Sequence, residues 1–309
     1  MESINVVGSG CACRGNGGGG PQRREPRPDH GTRKPTNPFF DGPRRSAGAP
    51  ARSAPLLSAH GLRHRLAGEA VLDGVGFDLR PGEALGLTGP GAPSDTLGRT
   101  ALVRMVSGLM PADPGVVLLD NRPLAGPGAD PLHDPVSYVA HSAVVTPTFT
   151  VAETLRLWAR LRGLPGSSRS ERHPYAERSS PADRRADLRE LVAEALTGAG
   201  IEQYAGTPVN RCSPTVLREL SLAVAMLRRP RLLVFDEPTR GLDARGRDRL
   251  LETVGRVREG GVAVLYAGRD ESEVRQVCRR VGVLDRGRLE VEGVEGRAEE
   301  RPQPVNAAA

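Results

Sequence analysis

Lysine is almost absent from this chain of 309 residues: Lys34 is the only one, and the other 42 of its 43 basic side chains are arginine. A lysine ammonium is thereby excluded from any site formed after residue 34. The bias points to a GC-rich genome rather than to an arginine-based functional surface. Cysteine is equally sparse. Cys11, Cys13, Cys212 and Cys278 show neither a disulfide framework nor a paired metal-ligand spacing, so a reduced cytoplasmic setting is expected. No apolar run approaches the ~20 residues that span a bilayer, and the first residues lack the apolar centre of a signal peptide.

Apolar clusters are also missing from residues 1–54, which hold Gly17–Gly20, many prolines, and nine basic residues against four acidic ones. That composition predicts a disordered basic tail over 1–54, and a second short disordered tail is expected over 298–309. The first tail carries +5 of the chain's net +6. The folded part is left near neutral, which argues against nucleic-acid binding despite a pI of 9.7. The tail suits a touch on anionic lipid or nucleic acid, but a solvated extension without a role is the plainer reading.

What the chain does have is concentrated at Arg229–Asp243. An apolar run, Leu232 to Phe235, ends in Asp236-Glu237-Pro238. A buried parallel strand delivers carboxylates in this way to the carboxyl edge of an α/β sheet. There the first acid is placed to hold the Mg²⁺ of a nucleotide and the second to polarise a water. Strands are expected at Leu62–Leu66, Val71–Leu79, Ala84–Thr88, Val116–Asp120, Val136–Ala140, Val262–Tyr266, Val281–Asp285 and Arg288–Val291. Helices are expected from about Arg99 to Leu109, after the capping box Thr150–Glu153, and at 187–199, 215–228, 245–258 and 271–279. Alternation of this kind gives a mostly parallel sheet.

Residues 229–243 closely resemble the Walker B motif and D-loop of ABC-type ATPases, with Gly241-Leu242-Asp243 at the family's spacing. The resemblance covers roughly residues 55–295, and its flavour is that of bacterial drug-export ATPases whose permease is encoded separately. It implies an α/β fold: a P-loop NTPase-like core with a parallel sheet, an antiparallel β-subdomain and a helical subdomain. One such domain is expected over 55–297, with its helical subdomain at about 145–225 and a polar loop insertion at 164–186. It also implies ATP and Mg²⁺ as cofactors, with Asp236 and Thr100 holding the metal and Glu237 polarising the water.

Several family motifs are altered. A phosphate-binding loop needs glycines that let consecutive N–H groups curl round phosphate, then a lysine. Here eight residues instead of four separate Gly89 from Gly98-Arg99-Thr100-Ala101, Pro90 and Pro93 offer no N–H, and Asp95 adds negative charge. Arg99 at the lysine position is a planar fork, not a point charge. Leu66 stands where the family stacks an aromatic on adenine, and His141 where it has its Q-loop glutamine. The signature motif becomes Cys212-Ser213-Pro214-Thr215-Val216, in which only Ser213 survives. Pro214 deletes an amide donor, and Thr215 is β-branched where backbone must approach phosphate. Arg269 takes the switch-histidine position.

The expectation is thus a nucleotide-binding-domain subunit of an ABC-type export system, peripheral at the inner face of the cell membrane. Its implied partners are a separate membrane permease and a second ATP-binding subunit, as homo- or heterodimer, with hydrolysis impaired and ATP and Mg²⁺ binding weak or lost. The alternative is a pseudo-ATPase binding or regulatory module.

Overall fold

The computed structural model describes residues 54–112, 114–124, 136–140, 147–164 and 181–292, with side chains from 185 onward in the last stretch. The chain opens on two long strands, β1 (Leu57–Leu66) and β2 (Glu69–Leu79), turned by Ala67 and Gly68 at positive φ. The uniformly buried β3 (Ala84–Thr88) follows, then helix α1 (Pro93–Val106), β4 (Val116–Leu119) and the short β5 (Arg122–Pro123). Strand β6 (Val136–Val139) precedes three helices, α2 (Val151–Leu161), α3 (Pro181–Ala199) and α4 (Pro214–Met226). The carboxyl-terminal part runs β7 (Leu232–Asp236), α5 (Ala244–Glu259), β8 (Ala263–Ala267), α6 (Glu271–Val277), β9 (Arg280–Asp285) and β10 (Arg288–Glu292).

These strands build two sheets. An antiparallel sheet has the order β2-β1-β4-β5, and a six-stranded sheet the order β10-β9-β3-β8-β7-β6. Within the second, β6, β7, β8, β3 and β9 are parallel and only β10 runs back. Unbroken apolar runs suit strands covered on both faces, and β7 shows how each face is used. Leu232 and Val234 pack with α1 and the antiparallel sheet, whereas Leu233 and Phe235 join a second core with α2, α3, α4, α5 and α6. The fold is α/β, with the parallel core, antiparallel β-subdomain and helical region that the sequence predicts.

Helix boundaries depart from expectation at two places. The first helix begins at Pro93, not near Arg99, because proline with its preset φ is a favourable starter and Ser94–Leu97 contain no breaker. Gly98, Arg99, Thr100 and Ala101 are therefore in the interior of α1 and not at its amino terminus. In the same way α3 begins at Pro181, inside the stretch 164–186 expected to be loop. Residues 1–53, 165–180 and 293–309, which hold most of the expected tails and of the expected insertion, lie outside the described residues.

Candidate functional site

Parallel strands place their carboxyl ends at one edge, and the acidic pair sits there. Asp236 closes β7 and is 5% exposed. In the parallel register Tyr138 of β6 lies beside Val234, so its ring shares a face with Asp236 two residues on. The Tyr138 hydroxyl donates to Asp236 Oδ2 at 2.9 Å. Burial, and then the negative charge of Asp236, push that phenol up to about 12, with Arg104 of α1 opposing. It remains a donor at neutral pH.

Glu237 turns the chain off the strand with φ +46°, a conformation side chains other than glycine rarely adopt. Its amide donates to Ala267 O at 2.9 Å, fixing it against the end of β8. Arg269 Nε donates to Glu237 Oε1 at 2.6 Å, and Arg240 Nη1 stands 3.6 Å from Oε2. Two residues further, Thr239 Oγ1 donates to both oxygens of the buried Glu273, at 2.7 and 2.8 Å. Tyr266 donates to the same carboxylate at 2.5 Å. The segments 237–243 and 266–273 are thereby tied together, and this brings Arg269 onto Glu237.

Between β3 and α1 only Gly89–Ala92 remain as loop, with Gly91 at φ +94°. Asp95, in the first turn of α1, accepts from the Arg286 amide at 3.2 Å through Oδ1, while its buried Oδ2 has no hydrogen-bond partner. Arg99 reaches only Thr96 Oγ1, at 3.3 Å, and its Nη1 is buried without a partner. Burial holds that guanidinium below its usual range. Glu237, Asp95 and Asp236 pull the other way, and Arg269 adds to the lowering. Gly98 serves packing: a Cβ there would lie 2.5 Å from Val71 O. Ala101 is buried in the core beside the antiparallel sheet, and Thr100 is half-buried between them on the helix.

At the signature position, Ser213 is the amino-terminal cap of α4, its hydroxyl accepting from Val216 N at 3.3 Å, and Pro214 is the first helical residue. Thr215 packs against Gly246 in the first turn of α5, whose cap Asp243 accepts from Gly246 N at 2.8 Å. Leu66 ends β1 with its side chain exposed. His141 lies outside the described residues. The structure thus groups Asp236, Glu237, Arg99 and Arg269 at one edge, while Ser213, Thr215 and Asp243 form a separate capping cluster.

Three participants escape a linear reading. Tyr138 and Arg240 look like ordinary strand and loop residues, and only the pairing of β6 with β7 would have flagged the tyrosine. Arg218 of α4, buried, donates to Ala140 O at 2.7 Å and to Arg240 O at 3.3 Å. It links the helical region to the end of β6 and to the loop that follows the acidic strand.

The chain is similar to known proteins in sequence and fold. A model of the ABC transporter family matches residues 72–240. The chain is 31% identical over 241 residues to the Nod factor export ATP-binding protein I of Ralstonia nicotianae, covering 78% of this chain and 68% of that protein. It is 27% identical over 234 residues to the linearmycin resistance ATP-binding protein LnrL of Bacillus subtilis, covering 76% and 68%. Among solved structures it resembles cbiO1 of Clostridium perfringens, part of the ABC transporter complex cbiONQ. The TM-score is 0.61 at 22% identity, over 77% of this chain and 88% of that one. A nucleotide-free ATP-binding cassette from an ABC transporter superposes with TM-score 0.60 at 18% identity, over 80% and 93%. With the family model matching more than half of its length and a relative at 31% identity covered over 68% of its length, this chain belongs to the ABC transporter ATP-binding family.

Proposed function

We propose that the chain is the nucleotide-binding-domain subunit of an ABC-type export system and that it hydrolyses ATP poorly or not at all. It sits at the inner face of the cell membrane against a separately encoded permease, paired with a second ATP-binding subunit. Export rather than import follows the relatives named for linearmycin resistance and Nod factor export. Among the described residues no helix is long and apolar enough to cross a membrane, which agrees with a separate membrane partner.

The observation that carries the impaired chemistry is the grip of Arg269 on Glu237. A general base must reach a water within hydrogen-bond distance. Here Oε1 already accepts a charge-assisted bond of 2.6 Å, the stronger kind of hydrogen bond, and Arg240 stands 3.6 Å from Oε2, so a water competes with two arginines for the carboxylate. The remaining residues also fit a magnesium nucleotide poorly. The amino terminus of α1 carries a proline and the buried acid Asp95 where an anion would need N–H groups. The pseudo-ATPase form of this reading keeps the cassette as a binding or regulatory part of the transporter.

The test is ATP turnover by the full chain with and without its permease, for wild type and Glu237→Gln. Wild type should stay at background and the variant should match it. Turnover in wild type that the substitution abolishes would show that Glu237 works as a base despite Arg269, and the proposal would fall.

A further inference from the structure

Arg218, in the second turn of α4, is 7% exposed, and among the described residues no carboxylate pairs with it. Both of its hydrogen bonds go to main-chain carbonyls. Nη1 donates to Ala140 O at 2.7 Å and Nη2 to Arg240 O at 3.3 Å, and the buried Nε has no partner. Taking a guanidinium out of water without an opposite charge is costly, and an apolar side chain of the same length would fill that space without this cost. The two carbonyls tell what the guanidinium achieves there. One follows β6, and the other lies in the loop after the acidic strand. Ser137 Oγ of β6 also donates to Ala225 O at 2.9 Å, so α4 is fastened to β6 near both of its ends.

We propose that Arg218 is a positioning residue for Glu237. A guanidinium is a rigid planar fork. With Nη1 held at the end of β6, Nη2 therefore sets where the carbonyl of Arg240 stands. Arg240 is in turn tied to Glu237 twice: its amide donates to Glu237 O at 3.2 Å, and its Nη1 stands 3.6 Å from Oε2. Glu237 sits at φ +46°, a conformation that persists in a non-glycine residue only where its surroundings enforce it. Arg269 holds the other carboxylate oxygen. The fork thus fixes the turn 237–240 from the side of the helical region, and through that turn it keeps Arg240 against the carboxylate. Its functional meaning rests on the proposed reading of Glu237 as a base held away from water.

Two measurements on the full chain read this positioning without turnover. The first is hydrogen exchange followed by mass spectrometry. The amides of Glu237, Arg240 and Leu242 donate to Ala267 O, Glu237 O and Thr239 O, and they report on the loop. Arg218→Met, apolar and of similar length, should speed their exchange about tenfold or more, since hydrogen bonds from a charged donor are the strong kind. Arg218→Lys keeps the charge but not the fork and should fall between the two. Leu220→Ala is the control, because Leu220 is fully buried on the same helix. It should loosen α4 and leave the loop amides within about twofold of wild type. The second measurement is the rate at which carbodiimide couples an amine to Glu237. Arg218→Met and Arg240→Ala should each raise it, and the double variant should add little to either, because both act through one side chain.

Loop amides that keep their wild-type exchange in Arg218→Met would overturn the proposal. So would a loop that Leu220→Ala loosens as much, for Arg218 would then act by packing α4 alone. A coupling rate at Glu237 that neither variant changes, or that the two change additively, would break the link through Arg240 and overturn it as well. If neither Arg218 variant folds, the arginine is needed for the fold itself and the proposal fails. These outcomes are independent of turnover. A wild type that hydrolyses ATP would sink the functional reading, while exchange and coupling would still decide whether Arg218 places the loop.

Discussion

Glu219 shows how far burial alone can displace a charge. It lies on α4, fully buried, and meets Arg249 of α5, whose Nε stands 2.5 Å from Oε1. Desolvation is the larger influence, and it raises the carboxyl to about 7 against the attraction of Arg249 and Arg256. Between about pH 4.5 and 7 the folded chain therefore holds a proton that the unfolded chain releases. The stability this group contributes is present below pH 4.5 and lost as pH rises to 7, about 3 kcal/mol at most. Glu219→Gln should be more stable than wild type at pH 8 and flatten that slope. It leaves no orphan, because Arg249 is part-exposed and also donates to Gly200 O at 2.6 Å. Urea denaturation at pH 5 and pH 8 measures this, and a variant less stable than wild type at pH 8 would refute it.

At the scale of elements, the packing of α1 on β2 offers a test in which two effects oppose each other. Gly98 is in the helix interior, where alanine is worth about 1 kcal/mol more than glycine. Its Cβ, however, would fall 2.5 Å from Val71 O and 2.8 Å from Leu284 Cδ2. The leucine can move aside, but a strand carbonyl cannot without shifting β2, and overpacking costs about 1–3 kcal/mol. The clash should win: Gly98→Ala is expected to lower stability by about 1–2 kcal/mol in urea titration. A stabilised variant would mean that α1 is free to slide, and that Gly98 is kept for something other than packing. The start of this same helix is where the sequence was hardest to read. Pro93 marks a loop as readily as a first helical turn, and the family's pattern drew the boundary to Gly98-Arg99-Thr100.

For the molecule as a whole, the sequence of residues 1–54 offers too few apolar side chains to add to either core, whereas burial begins at Leu56 and Leu57. Deleting 1–54 should leave the melting temperature of the remainder unchanged to within about a degree. A fall of several degrees would show that the tail packs on the domain. Most of the fold was legible before any coordinates, because its signals are local. Five-residue apolar runs are strands, the Thr150–Glu153 pair caps a helix with both of its hydrogen bonds formed, and Asp-Glu after Phe235 marks a sheet edge. Side-chain partners are different, because they belong to residues far apart in sequence. Tyr138 meets Asp236 across 98 positions and Arg269 meets Glu237 across 32. Those meetings depend on strand order and register. The sequence by itself thus determined the architecture and where the acids stand. Only the tertiary structure decided that a tyrosine and two arginines hold them, because parallel pairing selects neighbours by register rather than by distance along the chain.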